Sequence, residues 1–335
     1  MGRILVTGAS GLIGRHLVMR LVRERHALVL AHRAGSSLSQ AENHATLIDI
    51  GEVSQQTDWR KALEGCDTVI HLAGQVPERG VPADTFNNVN DRGTARLVEQ
   101  VSEKGVRRFI FLSSIFAVAN HAENMPVDDM SPPHPASAYG LSKLAAERHV
   151  ASFARSGGIG VSLRPPLVYC GEAGGNWRLL QRLAASPLPL PFAAIDNRRS
   201  FIAIENLVDA IVRVVDAGER AISGAFVVAD DRAISLRDIL SWLREGMGRP
   251  RRLFRLPPAM LRLALNASFR AGQAQSLLGN LQIDASGFRQ AYSWSPPVAT
   301  RDAVLQSGSQ FVALCSGAEG VSDAVPVRIK SKRQK

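Results

Sequence analysis

Cysteine is scarce in this 335-residue chain: Cys66, Cys170 and Cys315 lie far apart. Three widely separated thiols build neither a disulfide framework nor a cysteine-based metal site, so a reduced, cytoplasmic protein without a metal is expected. Long apolar runs are missing as well. No stretch approaches the ~20 residues that span a bilayer, so no transmembrane helix is expected. Gly8, Ser10, Gly11 and Gly14 interrupt any charged-then-apolar leader, so a secretory signal is not expected either. Net charge is almost absent from the first three quarters. Residues 1–248 hold 27 basic and 26 acidic side chains, whereas residues 249–335 hold 13 and 4. The formal net charge of +10 therefore belongs to the last quarter. This argues against a nucleic-acid binder built around one basic face. What the chain does have is apolar content of 45%, which excludes general disorder, and length enough for one large domain or two ordinary ones.

Short apolar, β-branched runs alternate with helical segments along the first half. Arg3–Thr7, Ala27–Ala31, Thr46–Ile50, Thr68–Leu72 and Arg108–Ser113 read as strands. Leu12–Arg25, Asp58–Leu63, Gly93–Lys104 and Leu141–Ser156 read as helices, and Gly160–Leu163 as a further strand. This alternation predicts an α/β fold, a doubly wound parallel sheet with helices on both faces. After Arg164 prolines and glycines cluster, and a smaller lobe over the carboxyl edge of the sheet is expected, with helices at Ile204–Asp216 and Ser235–Gly246. The expected units are residues 1–165, a lobe over 166–310 with some segments returning to the first, and a basic flexible tail over 311–335. No internal repeat is present.

The first strand runs directly into Gly8-Ala9-Ser10-Gly11-Leu12-Ile13-Gly14 and then a helix. Glycines at this spacing permit a tight turn, close backbone approach to a pyrophosphate and close helix–strand packing. The helix N-terminus presents free N–H groups and a positive dipole end to the phosphates. Gly8, Ser10, Gly11, Leu12, Ile13 and Gly14 are thus candidate dinucleotide-binding residues.

A second constellation follows. Tyr139-Gly140-Leu141-Ser142-Lys143 opens a helix, with Tyr139 and Lys143 one turn apart on one face. A free phenol has a pKa near 10, and a neighbouring ammonium favours the phenolate. The lysine can also hydrogen-bond a nicotinamide ribose. Ser113 and Ser114 end the fifth strand, 25 residues before Tyr139 in the case of Ser114. A hydroxyl there can hold a substrate oxygen beside the tyrosine.

Glycine motif, strand-end serine and Tyr-x-x-x-Lys in this order resemble an extended short-chain dehydrogenase/reductase of the NAD-dependent epimerase/dehydratase type, over roughly residues 3–300. The resemblance implies a Rossmann sheet with a C-terminal substrate-binding lobe. It implies catalytic Ser114, Tyr139 and Lys143 and an NAD(P) cofactor contacted by the glycine motif, Tyr139, Lys143, Asp49, Ile50, Leu72, Ala73, Gly74, Asn90 and Pro166. NAD-preferring relatives end the second strand with an acidic residue. Here His32-Arg33 stands there, and Arg33 suits a ribose 2′-phosphate, which favours NADP. His71, at the end of the fourth strand, reads as a satisfied structural histidine.

On the substrate side, Leu163-Arg164-Pro165-Pro166-Leu167-Val168-Tyr169 resembles the segment that passes over the nicotinamide, with Cys170 where relatives carry glycine. Asn176 and Arg199, in Asn197-Arg198-Arg199-Ser200-Phe201-Ile202, stand where relatives bind a substrate diphosphate. With Leu278–Asp284 and Trp294-Ser295-Pro296-Pro297, these segments resemble a bacterial subgroup acting at C4 of diphosphate-linked amino sugars for surface polysaccharide. The expected chemistry is hydride transfer at C4 of a UDP- or polyprenyl-diphosphate-linked sugar, by an epimerase or a 4-ketoreductase, which would use the same residues. A non-catalytic dinucleotide sensor and a reductase of a non-sugar carbonyl are the competing readings. Relatives of this type dimerise through two helices per subunit, here Gly93–Lys104 and Leu141–Ser156. Arg249, Arg251, Arg252, Arg255, the apolar Pro257–Ala271 and the tail fit either loose attraction to an anionic membrane face or a solvated basic surface.

Overall fold

The structure, a computed structural model, describes residues 2–35, 44–78, 80–121, 125–257 and 278–319. Its centre is a parallel seven-stranded sheet. The strands are β1 (Arg3–Thr7), β2 (Ala27–His32), β3 (Ala45–Asp49), β4 (Cys66–His71), β5 (Arg108–Leu112), β6 (Ile159–Arg164) and β9 (Gly224–Val227), in the order β3-β2-β1-β4-β5-β6-β9. The strands carry near-continuous apolar runs because both faces are covered, as parallel sheets require. The order reverses between β1 and β4. A crevice outside the carboxyl ends of these two strands is the place where such sheets bind ligands.

Helices α1 (Leu12–Arg23) and α6 (Ile204–Ala217) cover one face of the sheet and pack on each other. Ile4, Val6, Leu17, Leu21, Ile70 and Leu207 share that core layer. Helices α3 (Gly93–Glu103) and α4 (Ala138–Arg155) cover the other face, where Leu5, Val69, Phe109, Leu97 and Val150 cluster around Trp59. A short α2 (Ala83–Phe86) and a π-helical turn (Asn87–Arg92) lead into α3. Such i→i+5 turns are rare and often stand at functional sites.

The smaller lobe holds β7 (Val168–Tyr169), which pairs with β8 (Ile202–Ala203), together with α5 (Gly175–Ala185), α7 (Leu236–Gly246), α8 (Ser286–Ala291) and α9 (Thr300–Glu319). Buried polar contacts fix it. The Tyr169 hydroxyl donates to Asp230 Oδ2 at 2.7 Å, Asn206 Nδ2 to Asp230 Oδ1 at 2.7 Å, and Trp177 Nε1 to Ser307 Oγ at 2.9 Å. Cys170 is buried, and its carbonyl accepts from Gln181 Nε2 at 3.0 Å, so the loop tolerates a side chain where relatives carry glycine.

Two expectations are corrected. Asp58–Leu63 is a set of turns, not a helix. The Trp59 N–H donates to the Gln100 side chain, and Gly65, at φ +68°, turns the chain into β4. The chain from residue 311 does not leave the fold at once: α9 continues to Glu319, with Phe311 buried and the helix packed on α7. The seventh strand comes from residues 224–227, a segment that returns from the lobe to the main sheet. Residues 258–271 of the apolar stretch and the tail from residue 320 lie outside the described residues. Among the described residues no helix is long and apolar enough to cross a membrane.

Candidate active site

A groove of about 570 Å³ follows the carboxyl ends of β1, β2, β4 and β5. Its floor is the glycine turn. Gly8, Ser10, Gly11, Leu12, Ile13 and Gly14 all line it. A Cβ at Gly14 would lie 2.1 Å from the Gly8 carbonyl oxygen, so only glycine lets α1 pack this closely on the turn. No side chain caps α1, whereas Ser137 caps α4 and Ser235 closes a capping box on α7. The first turn of α1 therefore offers its N–H groups and positive dipole end to the groove, which suits a pyrophosphate. Leu72, Ala73, Gly74 and Pro166 form the walls towards Tyr139 and Lys143 at one end, and Ile50 and Arg33 stand at the other. These residues fit a nicotinamide dinucleotide.

Two of the expected cofactor residues do not line this groove. Asp49 turns its carboxylate back to accept the Gly51 N–H at 3.0 Å. Asn90 is buried behind the wall, inside the π-helical turn. Its Oδ1 accepts from the Gln75 N–H at 2.7 Å, and its Nδ2 donates to the Gln75 carbonyl and to Ser142 Oγ, both at 3.0 Å. Asn90 thus shapes the wall through Gln75, which does line the groove. Arg33 lies in the groove, but its Nη1 donates to Glu52 Oε1 at 3.0 Å. Glu52 brings a carboxylate to this end of the groove from the loop after β3, so the expected preference for NADP is not supported.

His71 is a structural histidine. Thr94 Oγ1 donates to the Asn90 carbonyl at 2.6 Å, so it can only accept from His71 Nε2, 3.0 Å away. The Nδ1 atom then accepts from Thr7 Oγ1 at 2.7 Å, and that oxygen accepts the Ala73 N–H at 3.1 Å. One neutral tautomer satisfies every group, and it ties β1, β4 and α3 together beneath the groove. Burial, aided by the Lys143 charge, pushes the imidazole down to about 3.

The carboxyl end of β5 and the start of α4 bring Ser114, Tyr139 and Lys143 together. A Cβ at Gly140 would lie 2.2 Å from the Phe116 carbonyl oxygen, so glycine allows α4 to begin against the loop that carries Ser114. Ser114 Oγ accepts from the Phe116 N–H at 3.2 Å, and Ser114 and Tyr139 line the same cavity wall. The neighbouring Ser113 donates instead to Glu147 Oε1 and is unavailable to a substrate. Lys143 is buried. Its Nζ donates to the Leu112 carbonyl at 2.8 Å and lies 4.7 Å from the centre of the Phe111 ring. Burial pulls the ammonium down to about 8, against the opposing charge of Glu147. Burial raises the Tyr139 phenol, and the Ser114 hydroxyl only partly offsets this. The expected lowering by Lys143 is therefore not the state of the free site, because burial dominates and the ammonium is directed to Leu112.

A second cavity, of about 310 Å³, opens from the same residues into the smaller lobe. Ser114 and Tyr139 stand at one side, with Asn176 from α5 and Arg199 from the loop before β8 also on its wall. Phe201, Leu236, Ile239 and Leu281 make the rest largely apolar. Arg199 is only 8% exposed, and no acidic side chain pairs with it among the described residues. Burial alone pulls its guanidinium down to about 10. A buried, uncompensated cation at a cavity wall favours an anion. The three expected substrate residues, Ser114, Asn176 and Arg199, all line this one cavity.

Sequence reasoning missed two groups. Glu147 forms a buried bidentate pair with Arg164, at 2.9 Å to Nε and 2.7 Å to Nη2, beneath Lys143. Its position one turn after Lys143 on α4 was the available signal. Glu52 carried none, since only the fold brings the loop after β3 beside the end of β2.

The sequence matches the NAD dependent epimerase/dehydratase family over residues 4–229. It is 29% identical over 318 residues to a UDP-glucose 4-epimerase of Vibrio cholerae, covering 92% of this chain and 95% of that protein. It is 27% identical over 212 residues to the N-acetyl-alpha-D-glucosaminyl-diphospho-ditrans,octacis-undecaprenol 4-epimerase of Escherichia coli O157:H7, covering 62% and 61%. The fold superposes on the UDP-N-acetylglucosamine 4-epimerase of Bacillus cereus with a TM-score of 0.75 at 18% identity, covering 93% of this chain and 100% of that one. The chain belongs to the NAD dependent epimerase/dehydratase family.

Proposed function

We propose that this protein is a 4-epimerase of a diphosphate-linked hexose or hexosamine, acting with a nicotinamide dinucleotide held in the groove. One observation carries the reading: a single cavity joins the Ser114–Tyr139 pair to the buried Arg199 guanidinium. A substrate with a reactive hydroxyl at one end and a diphosphate at the other meets both requirements. The Vibrio cholerae and Escherichia coli relatives are 4-epimerases of diphosphate-linked sugars, which supports the same choice.

The dinucleotide, when bound, supplies a hydride acceptor and donor. The residues of this chain do the rest. Arg199 and Asn176 bind the diphosphate and set the depth of the sugar. Ser114 donates a hydrogen bond to the C4 oxygen, which strengthens as that oxygen gains charge. Tyr139 takes the hydroxyl proton and returns it on reduction. Lys143 keeps positive charge beside the phenol and the ribose side of the groove. The Leu236, Ile239 and Leu281 wall keeps the cavity largely dry. Helices α3 and α4 lie side by side, and a homodimer through them is part of the proposal. So is contact with an anionic membrane face, supported by exposed Leu188 and Phe254 near exposed Arg251 and Arg252. Co-sedimentation with anionic and neutral vesicles tests the membrane contact, and binding to neither would remove it.

The experiment is product analysis by NMR with UDP-glucose, UDP-N-acetylglucosamine and their 4-keto-6-deoxy derivatives, with and without added NADH or NADPH. Redox-neutral interconversion of C4 epimers is expected. Stoichiometric consumption of reduced dinucleotide with a 4-keto sugar would make the protein a reductase instead. Indifference to every diphosphate sugar would leave the sensor or non-sugar reading.

A further inference from the structure

We propose that Glu52 sets the choice between the two nicotinamide dinucleotides, and that it favours the one without a 2′-phosphate. The inference rests on the dinucleotide reading of the groove. At the end of β2, where an acidic residue would meet the adenosine ribose, the chain carries His32 and Arg33. The sequence alone therefore points to a phosphate on that ribose. The fold supplies a different arrangement. Glu52, from the loop after β3, lines the same end of the groove and accepts from Arg33 Nη1 at 3.0 Å. Among the described residues it is the only carboxylate on the groove wall, since Asp49 is turned back onto the Gly51 N–H.

Charge then decides. A ribose 2′-phosphate would add almost two negative charges beside a carboxylate, and the nearest guanidinium is already shared with that carboxylate. A ribose with both hydroxyls free presents donors, which a carboxylate accepts well. The side chains of Arg33 and Glu52 are 62% and 77% exposed. The pair is therefore weak in itself and open to a ligand. Its effect lies in the sign of the charge it presents, and losing Glu52 would leave Arg33 free to bind phosphate bidentately.

The test is equilibrium titration of the full chain, freed of bound dinucleotide, with NADH and with NADPH, read by nicotinamide fluorescence. The variants are Glu52→Gln and Arg33→Ala. Both residues are on the surface, so both variants should fold. Wild type should bind NADH more tightly than NADPH. Glu52→Gln should narrow or reverse the gap by about tenfold, the size expected for removing one nearby charge repulsion, mainly by tightening NADPH. Arg33→Ala in the Glu52→Gln background should cancel that gain. A wild-type preference for NADPH, or a ratio unchanged in Glu52→Gln, overturns the proposal while leaving the groove a dinucleotide site. Failure to bind either dinucleotide overturns both.

Discussion

The buried ammonium of Lys143 donates to the Leu112 carbonyl oxygen at 2.8 Å, so the last residue of β5 and the second turn of α4 are locked together. The carbonyl, the Phe111 ring and the Glu147 carboxylate one turn on all favour the charged form, yet burial outweighs them and the pKa falls to about 8. Lys143 is therefore charged below pH 8 and loses its proton as pH rises through that value. If its charge supports the reaction, kcat/KM falls across pH 8 in the free enzyme. Lys143→Arg, which stays charged, should remove that falling limb even where it lowers the plateau. A limb that survives unchanged in Lys143→Arg belongs to another group.

Acid sensitivity should trace in part to His71. Its folded pKa, near 3, lies below the ordinary value of 6.5, so between those values the unfolded chain binds a proton that the folded one refuses. The stability it permits is complete above pH 6.5 and is lost as pH falls towards 3, at up to about 1.4 kcal/mol per pH unit. Urea midpoints of wild type and His71→Gln at pH 7 and pH 5 test this. The variant should be weaker at pH 7, because Thr7 and Thr94 lose a matched partner, and should show a smaller drop between the two pH values. Equal drops would remove His71 from the account.

The Glu147–Arg164 pair should behave as a buried charge pair. Glu147→Gln strands a buried guanidinium and should lower stability by about 3–5 kcal/mol. It should also move the Lys143 limb to lower pH, because Glu147 is the charge that opposes the burial effect on Lys143. Chemical denaturation and the pH profile of kcat/KM read the two effects separately. A stable variant with an unmoved limb would contradict this arrangement.

In the proposed function, Arg199 should trade stability for substrate affinity. The free protein holds its guanidinium without an acidic partner among the described residues, which costs folding free energy. Arg199→Met should melt at a higher temperature than wild type without ligand. It should also lose the UDP-induced rise in melting temperature and raise KM by about 10- to 100-fold, the range for one charge-assisted hydrogen bond set. A less stable variant that still responds to UDP would place the diphosphate elsewhere.

Much of this was legible in the sequence where local patterns act alone. Strand Arg3–Thr7, the glycine turn and the Tyr139–Lys143 spacing lie where the residues indicate, because each is decided within about ten residues. What depends on partners distant in sequence was not legible. Asp58–Leu63 has helical spacing, but the Gln100 side chain from α3 takes the Trp59 N–H. Asn90 reads as a cofactor contact, yet it sits inside a π-helical turn and holds the Gln75 backbone. Arg33 reads as a phosphate ligand until the loop after β3 places Glu52 beside it. Phe311 lies in a stretch rich in small residues and reads as tail, although the face of α7 makes it core.

The central claim is that Tyr139 transfers the proton at C4 of a diphosphate-linked sugar. NMR of purified wild type and Tyr139→Phe with UDP-glucose and UDP-N-acetylglucosamine tests it most directly, with circular dichroism to confirm that both are folded. The account predicts C4 epimer formation by wild type and a loss on the order of 10²- to 10⁴-fold in the variant, with UDP binding retained through Arg199. Equal turnover by both proteins, or no change at C4 of any diphosphate sugar by wild type, would contradict it.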